Sequence, residues 1–253
     1  MELVQIHNRL FSLLLRIMKL CALLLLLLIP APGSQAQQDL SGKVFLFPKQ
    51  TSYDCVILKP KVAKPLEKVT VCLTSYSELS RNYASFSLAT RAYDNTFLIF
   101  FQPPNVCSIH IFNEELKFIV DSEALNWKQT CVTWDSQTGV VQLWINGKLY
   151  PRKVSGKKFP IPEQSSIILA QDQDFFGGNF QDSRSFVGEI SDVHMWDEVL
   201  SPEDLRKVLY GNHSGNLISW KSLRYEAQGN VLVQPKLQCR SWGYSTSQYT
   251  SCS

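Results

Sequence analysis

Short apolar stretches recur at intervals of about ten residues along most of the chain, the spacing typical of a sandwich of short strands. Several of them alternate apolar and polar positions, as expected for strands that have only one buried face. The clearest are Val44–Phe47, Val69–Leu73, Ala84–Leu88, Phe97–Phe101, Ser108–Phe112 and Leu116–Val120. The pattern predicts an all-β sandwich.

A hairpin is predicted where Asn146-Gly147 separates Val140–Ile145 from Lys148–Tyr150. Both turn residues tolerate positive φ, as a two-residue type I′ turn requires. One helix is also predicted, beginning at the N-cap Ser201 with proline and acidic residues in its first turn. Its apolar face and its C-terminal stop are predicted from Leu205, Val208, Leu209 and Gly211.

The first residues resemble a secretory signal. Arg16 and Lys19 precede the apolar run Leu20–Ile29, and Ser34-Gln35-Ala36 has the small-x-small pattern of a cleavage site. A signal anchor is the alternative, but the run is shorter than the ~20 residues that span a bilayer. We expect cleavage after Ala36, a secreted product and no transmembrane segment in the mature chain.

The chain has 253 residues, a formal net charge of +3 and seven cysteines. No long basic stripe is present, which argues against specific nucleic-acid binding. Cys21 lies in the leader, and an even set remains in a secreted chain, which favours disulfides over a reactive thiol. This set is Cys55, Cys72, Cys107, Cys131, Cys239 and Cys252.

An acidic segment follows the apolar strand Ile167–Ala170. Asp172 and Asp174 are two residues apart, so both carboxylates project to the same side of an extended chain. Carboxylate and amide oxygens are the ligands that Ca²⁺ prefers. The spacing alone is equally compatible with a solvated acidic loop.

A second segment makes the acidic one more informative. Gln129–Ser136 resembles the pentraxin signature His-x-Cys-x-Ser/Thr-Trp-x-Ser/Thr, with Gln129 at the histidine position and Cys131, Thr133, Trp134 and Ser136 as matches. The similarity extends from about Leu40 to Pro235. It includes Arg91–Asn95, Leu98–Phe100, Phe186–Ile190, Met195–Asp197 and Leu200–Pro202. The chain therefore resembles the short pentraxins.

The resemblance implies a jelly-roll β-sandwich, of the laminin-G and concanavalin type, with one short α-helix. It implies a cyclic homopentamer whose helix faces away from the calcium sites. The expected domains are a signal peptide at 1–36, a pentraxin domain at 37–235 and a C-terminal tail at 236–253. It also implies a disulfide between Cys72 and Cys131. The other four cysteines remain open between Cys55–Cys107, Cys239–Cys252 and interchain bonds.

The resemblance further implies the ligands of a first calcium ion. These are Asp94, Asn95, Asp172, Asp174 and the carbonyl of Gln173. A second ion would share Asp172 and Asp174, but Gln181 replaces a glutamate and Arg184 replaces a glutamine. Arg184 has no lone pair to donate to a metal. Two interpretations remain: its guanidinium takes the place of the second ion, or it points to solvent and the ion binds weakly.

By the same resemblance, Phe100 and Glu115 would form a pocket for the quaternary ammonium of choline. His110 occupies a position where the family has a small polar residue, and we expect it to crowd this pocket. The alternative for Phe100 is core packing within an apolar strand. Asn212-His213-Ser214 is a predicted glycosylation sequon after the helix.

The resemblance favours a secreted recognition protein that binds phosphocholine or related phosphate-bearing ligands multivalently and recruits effectors such as complement. A calcium-dependent lectin, for carbohydrate or phosphoethanolamine, or a laminin-G-like adhesion module is the alternative. We do not expect an enzyme. Asp172 and Asp174 have oxygen-rich neighbours that suit a metal, and Glu189 and Asp192 fit no catalytic pattern. His110, His194 and His213 form no triad.

Overall fold

The computed structural model describes residues 36–60, 62–122 and 126–237, together with Leu14, Arg16, Met18 and Lys19. The chain divides into two compact units, Met1–Ala36 and Gln37–Ser253. Those four residues of the first unit are helical. The predicted leader core, Cys239, Cys252 and most of the predicted tail lie outside the described residues. Among the described residues, no helix is long and apolar enough to cross a membrane.

Almost all of the regular secondary structure described in the second unit consists of strands. In chain order they are β1 (Lys43–Phe47), β2 (Cys55–Leu58), β3 (Lys68–Tyr76), β4 (Tyr83–Ala89), β5 (Phe97–Gln102), β6 (Val106–Ile111), β7 (Glu114–Ile119), β8 (Lys128–Asp135), β9 (Val140–Ile145), β10 (Lys148–Leu149), β11 (Lys153–Val154), β12 (Ser166–Leu169), β13 (Gly188–Trp196), β14 (Tyr225–Gln228) and β15 (Leu232–Pro235). The α-helix α1 (Pro202–Leu209) and 3₁₀ turns at Asp182–Arg184 and Trp220–Ser222 complete the described elements.

Within the described residues the strands form two antiparallel sheets. The larger has the order β10-β9-β8-β3-β13-β1-β15, with β11 also paired to β9, and the smaller has the order β14-β2-β12-β4-β5-β6-β7. The inward side chains of both sheets form one core, which includes Phe45, Phe86, Ile99, Val132 and Trp134. The predicted all-β sandwich with one short α-helix is confirmed.

The predicted strands overlap observed ones, but the β6–β7 hairpin differs. Ser108–Phe112 and Leu116–Val120 each begin two residues earlier and end one residue earlier in the structure. The reason is that Phe112 and Asn113 form the turn, with φ of 47° and 66°. The Phe112 ring is buried against Trp134 at an intercentroid distance of 5.8 Å. The predicted strand end at Phe112 is therefore wrong, because Phe112 is an apolar turn residue. The Asn146-Gly147 hairpin is confirmed, with φ of 50° and 80°.

Helix α1 packs on the outer face of the larger sheet. The Ser201 hydroxyl accepts a hydrogen bond from the Asp204 amide at 3.1 Å, which satisfies one free N–H of the first turn. Leu205 and Val208 are buried in a small cluster with Trp196 and the disulfide cysteines. Leu209, the third predicted apolar position, is half-buried.

The disulfide Cys72–Cys131 joins β3 to β8, where the two residues lie directly opposite each other. The predicted pairing is confirmed. The pair Cys55–Cys107 is wrong. Both residues are free and fully buried, and β12, β4 and β5 lie between their strands β2 and β6.

Candidate functional site

The candidate site lies on the outer face of the smaller sheet. The chain leaves β12 at Ala170, which adopts a φ of 74°, and then crosses this face. The buried Gln173 side chain holds the crossing in place, because its Nε2 donates to the carbonyl oxygens of Ser87 and Ser166 at 3.0 and 3.2 Å. Its Oε1 accepts from the Gly177 amide at 2.9 Å. The side chain of Gln173 thus supports the loop, and its predicted ligand role falls to the backbone carbonyl.

A second loop, between β4 and β5, carries Asp94 and Asn95. Hydrogen bonds to the next hairpin fix it, because the Asn95 amide donates to Asn113 Oδ1 at 3.0 Å and the Asn113 amide donates to the Asn95 carbonyl at 2.9 Å. The Asn95 amide also donates to Asp94 Oδ1 at 3.0 Å. Asn95 and Asp172 line the same pocket, so the structure brings the two predicted loops together.

Arg184 lies between the two acids of the crossing segment. Its Nη1 donates to Asp172 Oδ2 at 2.9 Å and to Asp174 Oδ1 at 3.1 Å. Gln181 Nε2 donates to the remaining oxygen of Asp174, Oδ2. Of the two interpretations of Arg184, the structure has the one in which the guanidinium pairs with the acids.

Two buried oxygens at the site have no hydrogen-bond partner among the described residues. They are Asp172 Oδ1 and Asn95 Oδ1. Burial raises the pKa of the Asp172 carboxyl, and the Arg184 contact opposes this shift only in part. Because Oδ1 of this buried carboxylate remains unpaired beside the Arg184 contact, a further cation would stabilise the charged form. These two oxygens therefore fit the first calcium ion.

The residues present do not fit a second calcium ion. Asp174 Oδ2 is taken by the amide nitrogen of Gln181, and Arg184 already provides a cation to both acids. Within the described part of the chain, no three Asp, Glu, His or Cys side chains are grouped closely enough to hold a metal. The ligand set of the first ion stays a prediction, and in the structure both oxygens of its expected ligand Asp174 accept hydrogen bonds from Arg184 and Gln181.

The position of Arg184 is itself held by a second arginine that the sequence did not indicate. Arg81 Nη1 donates to the carbonyl oxygens of Ser183 and Ser185 at 3.2 and 2.7 Å. These residues flank Arg184 in the 3₁₀ turn, so Arg81 fixes the backbone on both sides of it. Burial lowers the pKa of Arg81 from its ordinary value, which is so high that the group stays charged.

The predicted choline residues line a pocket of about 390 Å³ beside these loops. Phe100 belongs to a small outer cluster with Ala84 and Leu98, whereas the flanking Ile99 and Phe101 belong to the main core. Phe100 is thus buried, with 8% of its surface exposed, but it packs on the pocket side of the sheet and not in the main core. His110 packs edge-on against it, with ring centroids 6.4 Å apart. The lining is completed by Asn82, Asn95, Leu98, Gln102, Glu115, Asp172 and Arg184.

Glu115 is held by several hydrogen-bond and ionic partners. Ser108 Oγ and Gln102 Nε2 donate to its Oε1 at 2.8 and 3.1 Å, and Lys117 lies 3.4 Å from Oε2. Burial opposes ionisation, but the hydrogen bonds outweigh it and lower the pKa of Glu115. The carboxylate is therefore charged at neutral pH. Burial lowers the pKa of His110, so the adjacent imidazole is neutral there.

Sequence reasoning missed three polar residues of this pocket or its support: Asn82, Gln102 and Ser108. The strand pattern could have indicated Gln102, since it lies two positions beyond Phe100 on β5 and so faces the same side. Ser108 pairs with Phe100 across β5 and β6. Asn82 lies in the segment before β4, and no periodic signal indicates it.

Asn212, the predicted glycosylation residue, is exposed immediately after helix α1, and its amide donates to the Lys207 carbonyl at 2.9 Å. It lies on the side of the larger sheet, away from the pocket. A glycan at Asn212 would therefore leave the candidate site open.

Sequence comparisons agree with this architecture. The Pentaxin family model matches residues 43–235. C-reactive protein of Xenopus laevis is 54% identical over 224 residues, which cover 87% of this chain and 94% of that protein. Human C-reactive protein is 42% identical over 221 residues, covering 86% and 97%. Serum amyloid P-component of Cavia porcellus is 40% identical over 203 residues, covering 80% and 91%.

The fold also has a close match among solved structures. A native heptameric pentraxin from Limulus polyphemus, similar to serum amyloid P-component, superposes with a TM-score of 0.70. The match covers 79% of this chain and 98% of that one, at 23% identity, and so concerns the fold alone. With the family match over the whole sandwich, the conclusion is that this chain belongs to the pentraxin family.

Proposed function

We propose that the chain is a secreted, calcium-dependent recognition protein that binds phosphocholine or related phosphate-bearing groups. The observation that carries the proposal is the shared pocket. An aromatic ring and a charged carboxylate, Phe100 and Glu115, line the same depression as Asn95 and Asp172. An apolar wall with an acid suits a quaternary ammonium, which cannot donate a hydrogen bond.

In this proposal each end of the ligand has its own partners. Bound calcium supplies positive charge to the phosphate oxygens. Asn95 and Asp172 would hold that ion, since their Oδ1 atoms are buried and have no hydrogen-bond partner within the described residues. The Phe100 ring excludes water from the methyl groups, and Glu115, fixed by Ser108 and Gln102, faces the positive charge.

Affinity for a surface is proposed to come from several identical sites. A single open pocket on a sheet face binds weakly, whereas linked copies engage a repetitive surface at high effective concentration. A homopentamer follows from the family resemblance, although the Limulus relative is heptameric. The helix lies on the other sheet, which leaves that side of the subunit for effectors such as complement.

The alternative is a calcium-dependent lectin for carbohydrate or phosphoethanolamine, or an adhesion module. It is favoured by the imidazole of His110, which narrows the space beside Phe100. The smaller ammonium of phosphoethanolamine needs less room there and can donate hydrogen bonds to Glu115. Catalysis is not proposed, because the acids of the site are paired with Arg184 and Gln181.

Binding of the purified full chain to phosphocholine resin, phosphoethanolamine resin and plain agarose, each with calcium or with EDTA, tests the proposal. Retention on phosphocholine with calcium, and release by EDTA or free phosphocholine, is the expected result. Preference for phosphoethanolamine or agarose supports the alternative. Retention that EDTA does not affect contradicts a calcium-dependent site.

A further inference from the structure

The Arg184 guanidinium has N–H donors that form no hydrogen bond within the described residues. Nη1 makes both contacts to Asp172 and Asp174, and neither Nε nor Nη2 donates a hydrogen bond within the described residues. A guanidinium carries five N–H donors in a fixed planar fork. The side chain is 39% exposed and lines the pocket. Unused donors therefore lie at the wall where a ligand would bind.

The structure also fixes the backbone that carries this guanidinium. Arg184 belongs to a 3₁₀ turn in which the Arg184 amide donates to the Gln181 carbonyl at 3.0 Å. The Ser185 hydroxyl donates to the Asp182 carbonyl at 2.7 Å. Arg81 holds the carbonyls on both sides of it. The contacts to Asp172 and Asp174 hold the side chain on this backbone, and a side chain that is held before binding loses less rotamer entropy when it contacts a ligand.

The two oxygens of Asp172 face two different positions for positive charge. Its Oδ2 accepts from Arg184, whereas the buried Oδ1 is unpaired. A calcium ion at Oδ1 and the guanidinium at Oδ2 would thus be neighbours on one carboxylate. An anionic group with two or three oxygens is the ligand that contacts two such neighbouring positive groups simultaneously.

We propose that Arg184 takes the place of a second calcium ion as a direct contact for the anionic group of the ligand. This inference deepens the proposed function and rests on it for the location of the ligand. The ligand class is a phosphate monoester, or a phosphonate or carboxylate of similar size. Its oxygens lie between one calcium ion and the unused Arg184 donors, and any cationic tail extends toward Phe100 and Glu115.

Substitutions of Gln181 and Arg184, the two residues that differ from the family pattern, test this assignment. Arg184→Lys keeps the charge but removes the fork, Arg184→Gln removes both, and Gln181→Glu with Arg184→Gln restores oxygen donors for a metal. Arg206→Gln, an exposed arginine on helix α1, is the matched control. Formation of the Cys72–Cys131 disulfide and an unchanged thermal midpoint report that each variant is folded.

Two soluble probes are used at saturating calcium: phosphocholine, and ethyl phosphate, which has no cationic tail. We expect Arg184→Gln to weaken the binding of ethyl phosphate about tenfold or more, since a hydrogen bond to a charged group is lost. The ethyl phosphate affinity of Arg184→Lys should lie between those of Arg184→Gln and the unmodified protein. The affinity of Arg206→Gln should equal that of the unmodified protein. Calcium titration should give one ion per subunit in the unmodified protein and two in the double variant.

The outcomes separate this inference from the proposed function. The Arg184 contact is overturned if Arg184→Gln binds ethyl phosphate with an affinity within twofold of the unmodified protein. It is also overturned if the unmodified protein does not bind ethyl phosphate. Two calcium ions per subunit in the unmodified protein also overturn it. Arg184-dependent binding of ethyl phosphate, without any preference for phosphocholine, supports the contact and instead contradicts choline recognition at Phe100 and Glu115.

Discussion

The two oxygens of Asp172 have different environments, and Arg184 is the cause. Arg184 Nη1 lies 2.9 Å from Asp172 Oδ2, whereas Oδ1 is buried and has no hydrogen-bond partner within the described chain. One carboxylate thus contacts a fixed cation and still presents an oxygen to a metal. This arrangement predicts a site with one calcium ion and one guanidinium.

The choline assignment predicts distinct effects of two conservative substitutions. Glu115→Gln preserves the acceptor for Ser108 but removes the charge, and phosphocholine affinity should fall on the order of tenfold. Phe100→Leu keeps the apolar cluster with Ala84 and Leu98 but removes the ring face, which should weaken binding about three- to thirtyfold. Calorimetry at fixed calcium measures both. Glu203→Gln, on helix α1, is the control, and equal affinities in all four proteins would refute the assignment.

His110 should limit the size of the cationic group that the pocket accepts. Its ring stands edge-on to Phe100, and its strand position is opposite Glu115. We expect His110→Thr to strengthen phosphocholine binding several-fold and to leave calcium affinity unchanged. The gain should be smaller for phosphoethanolamine, whose ammonium is smaller. Weaker phosphocholine binding in this variant would mean that the imidazole contacts the ligand favourably.

His194 should make the fold less stable in acid. Burial lowers the pKa of His194 from 6.5 to about 4, and its Nδ1 accepts from the amides of Gly215 and Trp220. Between these pH values the unfolded chain binds a proton that the folded chain excludes, so stability falls as pH falls. The loss should reach about 3 kcal/mol, at 1.36 kcal/mol for each pKa unit.

Denaturant unfolding at pH 7, 5.5 and 4 measures this slope. His194→Asn keeps an acceptor near the Nδ1 position and does not titrate, so its stability should depend less steeply on pH. Carboxylates contribute to the slope in both proteins, and the difference between the two slopes isolates the histidine. Parallel slopes would show that His194 titrates normally in the folded protein.

The cysteines should differ sharply in reactivity. Cys55 and Cys107 are fully buried and so inaccessible, and burial raises the pKa of both thiols to about 12, which keeps them un-ionised in the folded protein. Alkylation should label them only after denaturation, while Cys72 and Cys131 stay linked until reduced. Replacing the latter pair by alanine should cost about 4 kcal/mol on the entropic model of loop closure. Peptide mapping checks the pairing, and rapid native labelling of Cys55 would contradict its burial.

Local patterns predicted most of the fold because they report which face of a strand is buried. The helix at Ser201 and the turn at Asn146-Gly147 depend on neighbouring residues alone, and both are confirmed. Phe112 was assigned wrongly because its burial depends on Trp134, which is distant in sequence.

The site was less predictable, since its contacts come from separate elements. Phe97–Phe101 is continuously apolar, so periodicity does not show that Phe100 faces outward. The sequence also left two orientations open for Arg184, because its partners Asp172 and Asp174 and its support from Arg81 depend on how the loops fold. The metal ligands came from a family resemblance and remain predictions.

The central claim is that each subunit holds one calcium ion, at Asn95 and Asp172, with Arg184 in place of a second. The most direct measurement is anomalous diffraction at long wavelength from crystals grown with excess calcium chloride. One anomalous peak per subunit, next to Asp172 Oδ1 and Asn95 Oδ1, with Arg184 still contacting Asp172 Oδ2, is the predicted result. Two peaks of similar height, with Arg184 turned away from the acids, would contradict the account.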